Sequence, residues 1–288
     1  MACGIKFLHW LSEGGCLPAG SRLLDIGESC LYGATPEDIR WMWDRYGCTL
    51  KAEDYEATLA HYAMRSNTIG HPEIRTLFVA ELLAVTNLRY ASIDVVSAGF
   101  AEQFDLNVHA LAPEQRNSFD AIINFGTTEH LINQMNAYRV MHDACKPGGH
   151  LFHQVPGTGY LHHGYFTYDV QFFEDLAKAN GYKLKDVWYC GPQGLANVLQ
   201  HGDAHPGVRD PGKPYNNVEG FQAHPVPNSV INVLFQKVTD APFRVGLELS
   251  TSATNRIGTF TSKFIHPASL PPAWPVVPIR DPRRAVRG

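Results

Sequence analysis

Fourteen histidines are spread over 288 residues, and five of them, His130, His150, His153, His162 and His163, are candidates for chemistry. An imidazole titrates near neutrality, so a histidine beside a bound substrate is suited to take a proton from it. His162 and His163 lie in a glycine- and histidine-rich loop from Pro156 to Gly164, close to Tyr160, Tyr165, Phe166 and Tyr168. Those aromatic side chains are of the type that walls a small-molecule pocket. His153, His162 and His163 are also a conceivable set for a divalent ion. They lack the tight H-x-H or H-x-x-x-H spacing, so no metal is assigned.

Three carboxylates stand in or beside short apolar runs. Asp25 stands in Leu24-Asp25-Ile26-Gly27, Asp94 closes Tyr90-Ala91-Ser92-Ile93-Asp94, and Asp105 precedes Leu106. A short apolar run ending in Asp and Gly reads as a buried parallel strand entering a tight turn. Glycine there lets the backbone approach a ligand, and an acid at a strand's C-terminal end faces the ligand crevice.

These residues need a frame to position them. Strands are expected over Arg22–Ile26, Tyr90–Asp94, Gln103–Asn107, Ser118–Phe125, His150–Val155, Tyr182–Tyr189 and Val230–Val238. Helices are expected from Thr35, which caps Pro36-Glu37-Asp38, to Tyr46, and over Glu53–Arg65, Pro72–Thr86, Glu129–Cys145 and Asp169–Asn180. Lys146-Pro147-Gly148-Gly149 stops the fourth of these, and Gly181 closes the last. Strand–helix alternation demands parallel pairing with right-handed crossovers. The two late strands have no helix between them, which suits a last strand inserted antiparallel. The expected fold is α/β: a doubly wound, mostly parallel seven-stranded sheet with an antiparallel last strand.

The expected domain covers residues 1–245, with a helical insertion near 34–70 and a lid or loop near 191–228. A proline-rich extension follows over 246–288.

Composition narrows the partners. The formal net charge is −4, so no basic field attracts nucleic acid. Arg280, Arg283, Arg284 and Arg287 read as a solvated tail. No run reaches the roughly 18 apolar residues of a membrane helix, and the N-terminal apolar stretch is too short and too weakly basic for a signal peptide. A cytoplasmic protein without membrane or nucleic-acid partners is expected. The six cysteines include no C-x-x-C pair, which argues against a zinc ribbon or redox dithiol.

In order along the chain, Leu24-Asp25-Ile26-Gly27, Ile93-Asp94, Phe104-Asp105-Leu106, Ser118-Phe119-Asp120, Glu129-His130 and Lys146-Pro147-Gly148-Gly149 resemble the motifs of the class I S-adenosylmethionine-dependent methyltransferases. The resemblance is strongest to the small-molecule branch and runs from about Arg22 to Tyr189. It implies a Rossmann-like methyltransferase fold and S-adenosylmethionine as cofactor. Asp25 and Gly27 match the turn beneath the cofactor. The usual D-x-G-x-G-x-G is broken here, because Ser29 stands at the second glycine. Asp94 matches the acid that accepts from the ribose hydroxyls. Asp105 and Leu106 match the adenine site, and Asn124, Phe125 and Gly126 match the methionine end. Asp120 opens its strand and so belongs to the far end of the sheet.

The implied reaction moves a methyl group to an oxygen, nitrogen or carbon atom of a small molecule. His130, His153 and His162 are the candidate catalytic residues, with Tyr160, His163 and Tyr165 at the acceptor. Two other classes stay open on these residues. One is a catalytically inactive binding subunit on the same fold. The other is a nucleotide-dependent oxidoreductase on a related fold, although the missing second glycine opposes a pyrophosphate turn.

Overall fold

The computed structural model describes residues 2–68, 70–160, 163–191, 194–200, 228–246 and 276–277. The chain opens with β1 (Ala2–Gly4) and α1 (Ile5–Glu13), then β2 (Arg22–Ile26) and β3 (Cys30–Tyr32). Helices α2 (Pro36–Tyr46), α3 (Ala52–Ser66) and α4 (Val79–Ala84) lead to β4 (Arg89–Asp94), β5 (Glu102–Gln103) and β6 (Ala110–Leu111). Next come β7 (Phe119–Phe125), α5 (Gln134–Ala144), β8 (Cys145–Thr158) and α6 (Val170–Asn180). The described strands end with β9 (Lys183–Gly191), β10 (Gly194–Gln200), β11 (Ser229–Gln236) and β12 (Val276–Val277).

The main sheet runs β10-β9-β11-β8-β7-β2-β4-β5. Strands β5, β4, β2, β7 and β8 pair in parallel. β11 lies antiparallel between β8 and β9. That is the expected doubly wound sheet with its last strand reversed. An eighth strand, β10, pairs antiparallel with β9, so residues 194–200 of the expected lid extend the sheet. The rest of that lid, from 201 to 227, lies outside the described residues.

Alternation along each strand divides the core. Leu23, Tyr90, Ala121, Ile123, Phe125 and Phe152 face α1 to α4. Leu24, Ile26, Ala91, Ile93, Ile122 and Leu151 face α5 and α6. Central strands of a parallel sheet bury both faces, which explains the continuous apolar runs.

The crossover from β2 to β4 is where sequence and structure differ most. Cys30 bridges Phe78, Leu31 N–H donates to Leu77 O at 2.7 Å, and Val79 N–H donates to Ser29 O at 3.0 Å. Residues 30–78 therefore leave and re-enter the fold at one neck, which is wider than the 34–70 read from the sequence. Closing that neck would put Gly27 and Asp94 at the roughly 20-residue spacing usual between a glycine turn and its ribose acid. The expected helix Pro72–Thr86 shrinks to α4, because residues 77–79 are engaged in the neck. Arg65, nearly buried, donates to both oxygens of Glu81 and to the carbonyls of Arg75 and Thr76, tying α3 to α4.

The expected helix from Glu129 also starts late. Thr128–His130 form a single 3-10 turn, and α5 begins only after Asn133, whose side chain accepts from Asn136 N–H. Of the C-terminal extension, only Val276 and Val277 are described, and they pair in parallel with β6. No helix among the described residues is long and apolar enough to cross a membrane.

Candidate functional site

The sheet order reverses between β2 and β7, where β4 lies on one side of β2 and β7 on the other. Such a switch point opens a crevice at the carboxyl ends of the strands. Three sequence-expected residues reach it. Gly27, with φ +100°, turns the chain at the end of β2, and its N–H donates to Ile93 O at 2.8 Å. Asp94 ends β4, half-buried. Gly126, with φ +76°, turns the chain at the end of β7. A left-handed backbone is open to glycine and costly for most other residues.

Asp94 organises the first turn as well as facing the crevice. Its Oδ2 accepts from Glu28 N–H at 3.0 Å and its Oδ1 from Val96 N–H at 3.1 Å. A carboxylate has about four lone-pair sites, so two backbone donors leave capacity for two hydroxyls. Glu28 was not singled out from the sequence. Its buried carboxylate accepts from the backbone N–H groups of Ala98, Phe100 and Ala101, shaping the loop after β4. A glutamate between Gly27 and Ser29 was the only available signal.

Asp25 turns inward. Tyr90 O–H and Ser29 N–H donate to its Oδ2, at 2.8 and 3.1 Å, and the Ser29 hydroxyl donates to Oδ1 at 2.9 Å. Asp25 and Ser29 are both fully buried. They brace the turn from beneath and do not line the crevice, which corrects their expected cofactor contact. Serine at the second glycine position is thus explained by its bonds to Asp25. Burial lifts the Asp25 carboxyl to about 7, against the opposing pull of Tyr90 and Ser29.

A folded-state pKa above the unfolded value makes the protonated form the favoured one in the fold. This contribution to stability is therefore full below about pH 4 and lost as pH rises towards 7. Asp25→Asn can keep all three contacts if the Ser29 hydroxyl turns to accept. We expect the variant to remove up to about 1.4 kcal/mol per pH unit of that slope. Urea unfolding of both proteins between pH 4 and 7 measures the difference, and identical slopes would refute it.

Asp105 forms an Asx turn: its Oδ1 accepts from Asn107 N–H and from the Asn107 amide. Asn107 in turn holds the start of α5 through Asn133. Leu106 is a core side chain, packed in the cluster that includes α5, with its carbonyl accepting from Asn136. Phe125 also belongs to the core, stacked among Phe7 and Phe152. Asn124 is fully buried, bonded to Thr128 and Thr127 N–H, and so shapes the turn after β7. The last three were expected at the cofactor. Alternation instead carries Phe125 and Asn124 to opposite buried faces. Asp120 lies at the far end of the sheet as expected, accepting from Arg22 N–H and Lys146.

The histidines separate sharply. His153 is buried among Tyr138, Phe173 and Phe235, with Nδ1 3.3 Å from the Asn124 amide. Burial pushes its pKa down to about 3, so it is a neutral core residue and not a proton acceptor for substrate. His162 lies outside the described residues. His130 and His163 are exposed and come together, with ring centroids 5.0 Å apart. Burial first, and His163 second, lower the His130 pKa.

Between them sits Glu129, 1% exposed. Its Oε1 is 3.6 Å from His163 Nε2, and burial lifts its carboxyl to about 7. Tyr160 meets His163 edge-on, with ring centroids 5.3 Å apart, and holds φ +52°, a rare backbone for a bulky residue. Tyr165 joins this loop through its N–H, which donates to Glu129 O at 2.8 Å, while its side chain is 68% exposed. It is therefore not a pocket wall in this arrangement, because its ring points to solvent.

The methyltransferase-domain family model matches residues 79–153, starting where the 30–78 excursion returns to the sheet. No curated protein matches the chain by sequence. Among solved structures, a Bacillus halodurans C-125 putative methyltransferase overlaps 81% of this chain and 99% of its own, at 13% identity and TM-score 0.43. The [4+2]-cyclase SpnF overlaps 82% and 81%, at 15% identity and TM-score 0.39. The Burkholderia thailandensis 1,6-didemethyltoxoflavin-N1-methyltransferase overlaps 82% and 76%, at 11% identity and TM-score 0.39. Residues 79–153 thus match a methyltransferase domain, within a sheet that has the doubly wound order and reversed last strand expected from the sequence.

Proposed function

We propose that this domain moves a methyl group from S-adenosylmethionine to an oxygen, nitrogen or carbon atom of a small molecule. The carrying observation is the meeting of Gly27, Asp94 and Gly126 at the switch point, with Glu129, His130 and His163 beside Gly126. The residues present suit the cofactor. Asp94 has spare acceptor capacity for two ribose hydroxyls, and Gly27 and Gly126 turn the chain in left-handed backbone at the two strand ends. The adenine amine is assigned to Asp105 on the motif order alone.

Bound there, the cofactor supplies an electrophilic methyl group on a sulfonium sulfur. The chain's own part is to hold the acceptor in line and to manage its proton. Of the histidines that sequence reading put at the reaction, His130 stands at the acceptor edge of the crevice together with His163, and the buried His153 does not. Glu129 lies 3.6 Å from His163, and Tyr160 with His163 borders the acceptor. The net charge of −4 supports a small acceptor over a nucleic acid.

Calorimetric titration with S-adenosylhomocysteine tests the reading. Saturable binding well below millimolar ligand is expected. No binding at millimolar ligand, or NADH bound while the sulfonium cofactor is ignored, would overturn it.

A further inference from the structure

We propose that Glu129, His130 and His163 form a binding site for a divalent transition-metal ion at the acceptor edge of the crevice. One ligand atom from each residue lies within 4.8 Å of the other two. This is the two-imidazole, one-carboxylate donor set that holds zinc or ferrous ions with positions left open. Imidazole nitrogens disfavour calcium and magnesium, which take oxygen ligands.

An independent observation points to a ligand at the same place. Glu129 Oε2 is buried and has no hydrogen-bond partner among the described residues. Its Oε1 stands 3.6 Å from His163 Nε2, too far for a hydrogen bond. A buried carboxylate oxygen without a partner is costly, and buried charges are ordinarily paired or coordinate a metal. The interactions this carboxylate does have are with its own backbone N–H and, at 3.6 Å, with His163.

The surroundings are built around that carboxylate. A Cβ at Gly126 would stand 2.9 Å from Glu129 Oε1, and one at Gly164 would stand 3.1 Å from its Cγ. Two glycines from different loops thus clear the space it occupies. The Glu129 carbonyl accepts from Tyr165 N–H at 2.8 Å and Phe166 N–H at 3.2 Å. These bonds fix the loop that carries His163 against the turn that carries Glu129 and His130. That turn is itself pinned from behind by Gln134, whose amide donates to Thr128 O and Leu131 O.

The use of the ion rests on the methyl-transfer reading. An acceptor hydroxyl entering an open position would lose its proton to solvent at lower pH than when free. Its oxygen then forms the new bond to the methyl carbon. The methyl–sulfur bond breaks with its electron pair left on sulfur, giving S-adenosylhomocysteine. The acceptor class this selects is a hydroxylated small molecule able to place one oxygen on the ion.

The test uses the full chain, stripped with chelator and kept reduced. Zn²⁺ is titrated by calorimetry and Co²⁺ by visible spectroscopy, with S-adenosylhomocysteine titrated separately. One tight ion per chain is expected, with nitrogen–oxygen cobalt bands and no thiolate charge-transfer band. Glu129→Gln and His163→Ala should each weaken ion binding more than about tenfold. His163 is on the surface, so its variant should fold and keep wild-type cofactor affinity. A chain that binds no stoichiometric ion, variants that bind it unchanged, or a thiolate band from the cysteines would each overturn the site. Ion binding without S-adenosylhomocysteine binding would leave the site standing and sink the methyl-transfer reading. The reverse result would sink the site alone.

Discussion

Asp94→Ala is expected to weaken S-adenosylhomocysteine binding by about a hundredfold or more. The carboxylate ends β4 at the switch point, and two ribose hydroxyls would donate to it. Hydrogen bonds to a charged group contribute about 1.5–3 kcal/mol each, and about 1.4 kcal/mol is tenfold in affinity. Asp94→Asn keeps one acceptor oxygen and should fall between the two. Asp94 also accepts from Glu28 N–H and Val96 N–H, so a loosened turn contributes part of the loss. Thermal unfolding of the ligand-free variants separates these contributions, since a loosened turn lowers the midpoint without ligand present. Wild-type affinity in Asp94→Ala would remove the ribose assignment.

Trp43→Ala should destabilise the protein by about 3–5 kcal/mol, the range for large aromatic-to-alanine changes in cores. That is a large part of a total of about 5–15 kcal/mol. Trp43 is fully buried on α2, packed against Tyr55 at 5.1 Å and Tyr62 at 6.0 Å on α3. Its Nε1–H donates to Leu82 O on α4 at 3.2 Å. The ring therefore joins the excursion to the short helix that leads into β4, and so to Asp94. Trp43→Phe keeps most of the apolar contact and loses the hydrogen bond, so a cost of about 1–2 kcal/mol is expected. Urea midpoints at constant slope measure both. A loss under about 1 kcal/mol in Trp43→Ala would mean that the excursion is not coupled to the sheet through this residue.

Much of the frame was legible from local patterns. Apolar runs bounded by turn residues located β2, β4, β7, β8, β9 and β11. Their alternation with helices required a parallel sheet, and the missing helix between the late strands marked the reversed β11. The ends of those strands then placed Gly27, Asp94 and Gly126 on one side of the sheet and Asp120 on the other. Each of these follows from neighbouring residues, because strand direction in a parallel sheet fixes which end a residue occupies.

The neck of the excursion was not legible, since it depends on Leu31 meeting Leu77 and Ser29 meeting Val79. Such pairings join residues far apart in sequence and leave no periodic trace. Burial misled the site reading for a related reason. Period-two alternation puts His150 and His153 on opposite faces, yet helices cover both faces of a central strand, so His153 is walled in. Asn124, Phe125 and Leu106 went the same way. By itself, the sequence determined the order of elements and the strand ends that meet at the crevice. Only the tertiary structure decided which side chains face it, and it brought His163 to Glu129 and His130 through backbone bonds between two loops.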